Sequence, residues 1–132
     1  MANVGSIRDG LATRLATISG LRVSATMLDD PRPPVAMVLP DRVEYDLNNA
    51  RGVDQYTFVI QLLVSRADDR AAQRNIDPFI TGPTSIKEAV YADLTLGGVV
   101  NTCRVTEMRN YGQVLYGETL YLGCEFVVEV YA

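Results

Sequence analysis

A stretch dense in helix punctuation, Arg66–Val100, lies between two runs of strict alternation, Val53–Ser65 and Gly117–Tyr131. In the first run Tyr56, Phe58, Ile60, Leu62 and Val64 share one side. In the second, Leu120, Leu122, Cys124, Phe126, Val128 and Val130 do the same. A period of two belongs to strands, because successive side chains point to opposite faces. The second side of Val53–Ser65, with Thr57, Val59, Gln61 and Leu63, is partly apolar as well. A covering element, another subunit, or a central position in the sheet each accounts for that.

The stretch between the two runs has a helical period. Ser65 is placed to cap a helix with Asp68 and Asp69 in its first turn. Ala72, Ile76 and Ile80 recur at i, i+4 spacing along one side, and Arg66, Arg70 and Arg74 along another. Pro78 is expected to end or kink this helix near Asp77, since proline removes a backbone donor. Gly82-Pro83 breaks the chain. Ser85 and Glu88 then form a capping box for a further helix, with Ile86, Ala89, Val90 and Leu94 inward and Gly97-Gly98 as its stop.

The N-terminal region adds a helix capped at Ser6, with Asp9 in its first turn, an apolar stripe of Ile7, Leu11, Leu15 and Ile18, and a stop at Gly20. Short strands follow at Leu21–Met27, Val35–Leu39 and Val43–Leu47. They are separated by the proline-rich connector Asp29–Pro34 and the turn Asn48–Gly52. A strand at Thr102–Arg109 and a loop at Asn110–Tyr116 precede the last strand; a symmetric hairpin there sets Cys103 roughly opposite Cys124. The order α-β-β-β-β-α-α-β-β predicts one α+β domain over residues 1–132. It is a mostly antiparallel sheet of four to six strands with about three helices packed on one face.

The chemistry on offer is sparse. The chain has no histidine, so the common serine, cysteine and zinc hydrolase arrangements lack their imidazole. Val-Val follows Gly97-Gly98 where a phosphate-binding loop needs Lys-Ser/Thr. The paired acids Asp29-Asp30 and Asp68-Asp69 diverge in direction, and turn or helix-start roles explain both. Cys103 and Cys124 read either as small buried hydrophobes or as a disulfide; neither supports a zinc site. No enzymatic activity, cofactor or metal is expected. The N-terminus lacks a signal-peptide layout and no apolar run reaches the ~20 residues that span a bilayer, so no membrane partner is expected. Twelve basic residues stand against sixteen acidic ones, which disfavours a dedicated nucleic-acid binder.

Two features remain for function. Arg66, Arg70 and Arg74 read either as a solvated face or as a contact to a carboxylate of a neighbouring copy or to phosphate; the net charge of -4 favours the carboxylate over DNA. Tyr111, Tyr116, Tyr121 and Tyr131 cluster in the closing hairpin, where an interface and packing within one subunit are both open. Subunit contacts are expected on the Arg42–Asp54 hairpin region, at Arg42, Asp46, Arg51 and Asp54, and on the stripe of Arg66, Arg70 and Arg74.

Ala71-Ala72-Gln73-Arg74, Asp77, Gly82-Pro83-Thr84-Ser85-Ile86, Ala89, Asp93 and Thr95-Leu96-Gly97-Gly98-Val99 make a pattern. With the general layout of the chain, that pattern resembles the tail terminator proteins of long-tailed, non-contractile bacteriophages. Pro78 and the Asp29–Pro34 connector depart from the family's pattern. The resemblance implies a structural virion protein at the head–tail junction, assembled in the cytoplasm of the bacterial host. Members form a homohexameric ring that caps the tail tube protein, stops its polymerisation and meets the head-side connector, or stopper, protein. DNA passes through the lumen without specific binding, and a negative lumen suits that passage. The family has no catalytic residues. Another head–tail connector or a tail tube subunit is the nearest alternative, although a tube subunit would be mainly a β-barrel with one helix. A small ligand-binding or enzymatic α+β sandwich is the alternative from another class.

Overall fold

Helix α1 begins where Asn3 and Ser6 satisfy each other's backbone. Asn3 Oδ1 accepts from the Ser6 N–H at 2.8 Å and Ser6 Oγ accepts from the Asn3 N–H at 2.9 Å. The cap is therefore Asn3, not Ser6, and the helix, Val4–Leu15, starts earlier than expected. A computed structural model describes residues 3–26, 32–46, 53–66 and 70–132. The expectations placed on Met27, Asp29–Pro31, Leu47–Gly52 and Asp68-Asp69 lie outside the described residues.

The remaining elements are β1 (Arg22–Ser24), β2 (Val35–Glu44), β3 (Gln55–Arg66), α2 (Ala72–Ile80), α3 (Ile86–Tyr91), β4 (Thr102–Tyr116) and β5 (Thr119–Tyr131). The fold is α+β, with a five-stranded sheet ordered β1-β2-β3-β5-β4. Among the described residues β1 and β2 run parallel and the other pairs are antiparallel. Among the described residues no helix is long and apolar enough to cross a membrane.

Two of the expected strands are one. Val35–Leu39 and Val43–Glu44 belong to a single β2, with a bulge at Asp41 between Pro40 and Arg42. β1 pairs with Val35–Met37, so among the described residues this side of β2 is an edge beyond Met37, where a proline is tolerated. Helix α2 also differs. β3 continues to Arg66 because Arg66 pairs with Tyr121 of β5, and α2 starts only at Ala72, with no side-chain cap at Ala71. Pro78 lies inside α2, which ends two residues later, so few of its hydrogen bonds are affected. α1 closes at Leu15 and turns through Gly20 at φ 82°. α3 closes at Tyr91, ahead of Gly97-Gly98.

The helices cover one face. Ile7, Leu11, Leu15 and Ile18 of the first helical stripe, Ala72 and Ile76 of α2, and Ile86, Ala89 and Val90 of α3 are all buried in one cluster with the inward residues of β2, β3 and β5. Gly10 has a packing reason: a Cβ there would lie 3.0 Å from Leu96 Cβ, so its absence lets α1 approach the 93–98 loop. Asp93 shapes that loop. Its carboxylate accepts from Thr95 Oγ1 at 2.9 Å and from the Gly97 N–H at 2.9 Å. The Thr95 hydroxyl first, then the Gly97 amide, holds the Asp93 carboxyl below the usual carboxylate range. Ser85, 2% exposed, accepts from the Glu88 N–H through Oγ and caps the short α3. Ser85→Ala should lower stability by about 1 kcal/mol, measured by urea denaturation, because it orphans a helix-start donor.

The last two strands form an arm. The expected Asn110–Tyr116 loop is strand, and the turn is the two-residue Gly117-Glu118, with Gly117 at φ 64°. A glycine with positive φ at that place matches the twist of a tight hairpin. Asn110 and Tyr111 form a bulge in β4, flanked by Gly112. Cys103 consequently pairs with Val130, and Cys124 lies beside Leu62 of β3, so the two cysteines are not opposite each other.

Candidate assembly surface

The charged residues expected to form subunit contacts fall at opposite ends of β3. Arg42, Asp46 and Asp54 stand where β2 ends and β3 begins. Arg66, Arg70 and Arg74 stand where β3 ends and α2 begins. β3 has 12 residues, so at about 3.4 Å per residue the two groups are roughly 40 Å apart. They cannot act as one patch. Arg51 lies outside the described residues.

At the first end, local structure occupies the side chains of Arg42 and Asp54. Arg42 Nη2 pairs with Glu44 Oε1. Asp54 Oδ1 accepts from the Asp46 N–H at 2.9 Å, with Asp46 at φ 52°. The Asp54 backbone also exchanges two hydrogen bonds with Ala132, at 2.8 and 3.1 Å. Asp54 thus ties the β2–β3 connection to the end of β5. At the second end, the three arginines do not form a helical stripe: Arg66 ends a strand, Arg70 precedes α2, and only Arg74 is helical. All three are exposed and have no ion-pair partner among the described residues.

The tyrosines divide. Tyr116 and Tyr121 pack with Val114 against Val35, Met37 and Leu63, a small cluster on the sheet face away from the helices. Packing within one subunit explains this pair. Tyr111 is exposed, and Tyr131 is half-buried with its hydroxyl 3.4 Å from Glu129 Oε2. The same face carries an ion pair between Arg109 Nε and Glu125 Oε1 at 3.1 Å, joined by Asn110 Nδ2 at 2.8 Å.

The arm exposes apolar side chains that sequence alternation missed. Leu115 is 67% exposed and Leu120 47%. They are register partners, and Leu120 is two residues from the buried Leu122, so both lie on the helix side of the sheet. The last register partner in β3 is Arg66, opposite Tyr121, and among the described residues no third strand lies beside them. Met108 and Tyr111, further along β4, are exposed too. The available signal was the Gly117-Glu118 turn: placing it there makes Leu115 face Leu120 and lengthens the hairpin beyond Tyr121, the last β5 residue with a described partner in β3.

Cys103 and Cys124 are free and buried. Burial, reinforced by Asp93, pushes the Cys103 thiol up to about 11. Burial, reinforced by Glu125, pushes that of Cys124 up to about 12. Both stay protonated near neutrality, which makes them poor nucleophiles. An alkylating reagent at pH 8 should leave both unmodified in the folded chain and modify both after denaturation, as counted by mass spectrometry. Unfolded thiols ionise around 9.0, below the folded values, so the stabilising difference is fully present below pH 9 and is lost as pH rises from 9 toward 11 and 12.

The chain matches no known protein-family model and no curated protein sequence.

Proposed function

We propose that this protein is a tail terminator: a structural subunit that forms a ring, most simply a hexamer, caps the phage tail tube, ends its polymerisation and joins it to the head-side connector. The observation that carries assembly is the β4–β5 arm. Leu115 and Leu120, with Met108 and Tyr111, put apolar surface on an extended hairpin where a lone domain gains nothing from it. The kind of assembly rests on the resemblance across Ala71–Val99. In the fold these positions build the α2–α3 layer: Ser85 caps α3, Asp93 shapes the loop after it, and Ala72 and Ala89 are buried. DNA would pass through the ring without sequence-specific contacts, and a net charge of -4 is compatible with a lumen that repels it.

Native mass measurement with negative-stain imaging tests the ring. The expected result is a closed particle several times the 14.5 kDa of one chain, formed by the protein alone or on addition of the tail tube protein. A strict monomer under both conditions contradicts the proposal.

A further inference from the structure

A cavity of about 410 Å³ opens on the helix side, between the end of α1, the start of β2 and helix α2. Ile18, Pro34, Val64, Pro78 and Phe79 give it an apolar wall, and Arg74 contributes to its lining. No residue of the β4–β5 arm lines it, so the chain's own arm does not fill it. The arm meanwhile ends in a knob of complementary character: Leu115 and Leu120 side by side, with the exposed Glu118 at the turn between their strands. Glu118, like Arg74, has no ion-pair partner among the described residues.

We propose that the arm of one copy seats Leu115 and Leu120 in the cavity beside α2 of the next copy, with Glu118 meeting Arg74. The occupant is a second copy of this chain because knob and hollow match in both polarity and charge on one molecule. The two patches are different surfaces, so the contact is heterologous, and repeating it generates a ring when the rotation closes. Their placement favours a neighbour at the side. Both lie at the end of the sheet where β3 stops, but the cavity is over β2 and β3 while the arm extends β5 and β4. Closure into a ring rests on the terminator proposal; the pairing of these two surfaces is the added claim.

Cysteine cross-linking separates the two. Leu115→Cys and Asn75→Cys place thiols at exposed positions on the knob and at the cavity, while the native cysteines are buried. Under mild oxidation, a mixture of the two single variants should give a disulfide dimer containing one of each. Neither variant alone should dimerise, and a chain carrying both should give a ladder ending in a closed ring. Leu115→Cys cross-linking to itself overturns the proposal in favour of a symmetric contact. Rings without the mixed cross-link overturn it while leaving the terminator proposal standing. Monomers throughout, even with the tube protein, overturn both. Glu118→Arg should weaken association about tenfold, with recovery when Arg74→Glu is added; weakening without recovery overturns the ion pair.

Discussion

Gly123→Ala is expected to cost this fold about 3 kcal/mol and to lower its melting temperature by roughly 10 °C. Gly123 sits in β5 opposite Leu63 of β3 and Gly112 of β4. A Cβ added there would lie 2.2 Å from the Leu62 carbonyl oxygen and 3.1 Å from Leu63 Cδ2. The nearer atom is backbone in the central strand, next to the β3 bulge at Val64, so it cannot be relieved by a rotamer change. The two strands must separate, which stretches ladder hydrogen bonds in the middle of the sheet. Here the glycine's use is its lack of a side chain, since its φ is not in the left-handed region. Thermal denaturation followed by circular dichroism checks the expectation; an unchanged melting temperature contradicts the close approach.

Phe58→Ala should remove about 4 kcal/mol, a large share of the 5–15 kcal/mol typical of a domain. Phe58 is 1% exposed in the first half of β3, between Pro40 of β2 and Val128 of β5. Its ring centroid is 6.5 Å from that of Tyr56. Truncation removes transfer free energy and leaves a cavity that sheet neighbours on both sides cannot collapse into without breaking register. Phe58→Leu keeps much of the volume and should cost only about 1.5 kcal/mol. In urea, the midpoint should fall in that order while the slope stays constant, marking a change in stability and not in the unfolded state. A loss below about 1 kcal/mol for Phe58→Ala would contradict a core centred on β3.

The alternation in β3 and β5, the α1 stripe and the Ser85 cap were legible because each is a local period or a local hydrogen bond. β3 proved to be central, which explains its second apolar side: Leu63 meets Val35 and Met37 there. What escaped depends on neighbours far along the chain. Pro40 looked like a strand end because nothing in the sequence says that β1 stops opposite Met37. Arg66, Arg70 and Arg74 looked helical because their spacing fits a helix, whereas pairing with Tyr121 holds Arg66 in a strand. Asn110 and Gly112 looked like a loop because both suit positive φ, values of 55° and 149° that a bulge uses equally well. The same limit applies to the site. Alternation assigned Leu120 to the inward side of β5 correctly, but a period cannot tell whether anything covers that side. The exposed knob emerges only from the strand order and from the exposure of Leu115 and Leu120.

If this chain ends tail growth and joins tail to head, deleting its gene from a phage that carries it should change the tails seen by electron microscopy. Overlong tubes without attached heads are expected, with normal length and joining restored when the intact protein is supplied from a plasmid. Tails of normal length joined to heads in the deletion would contradict it.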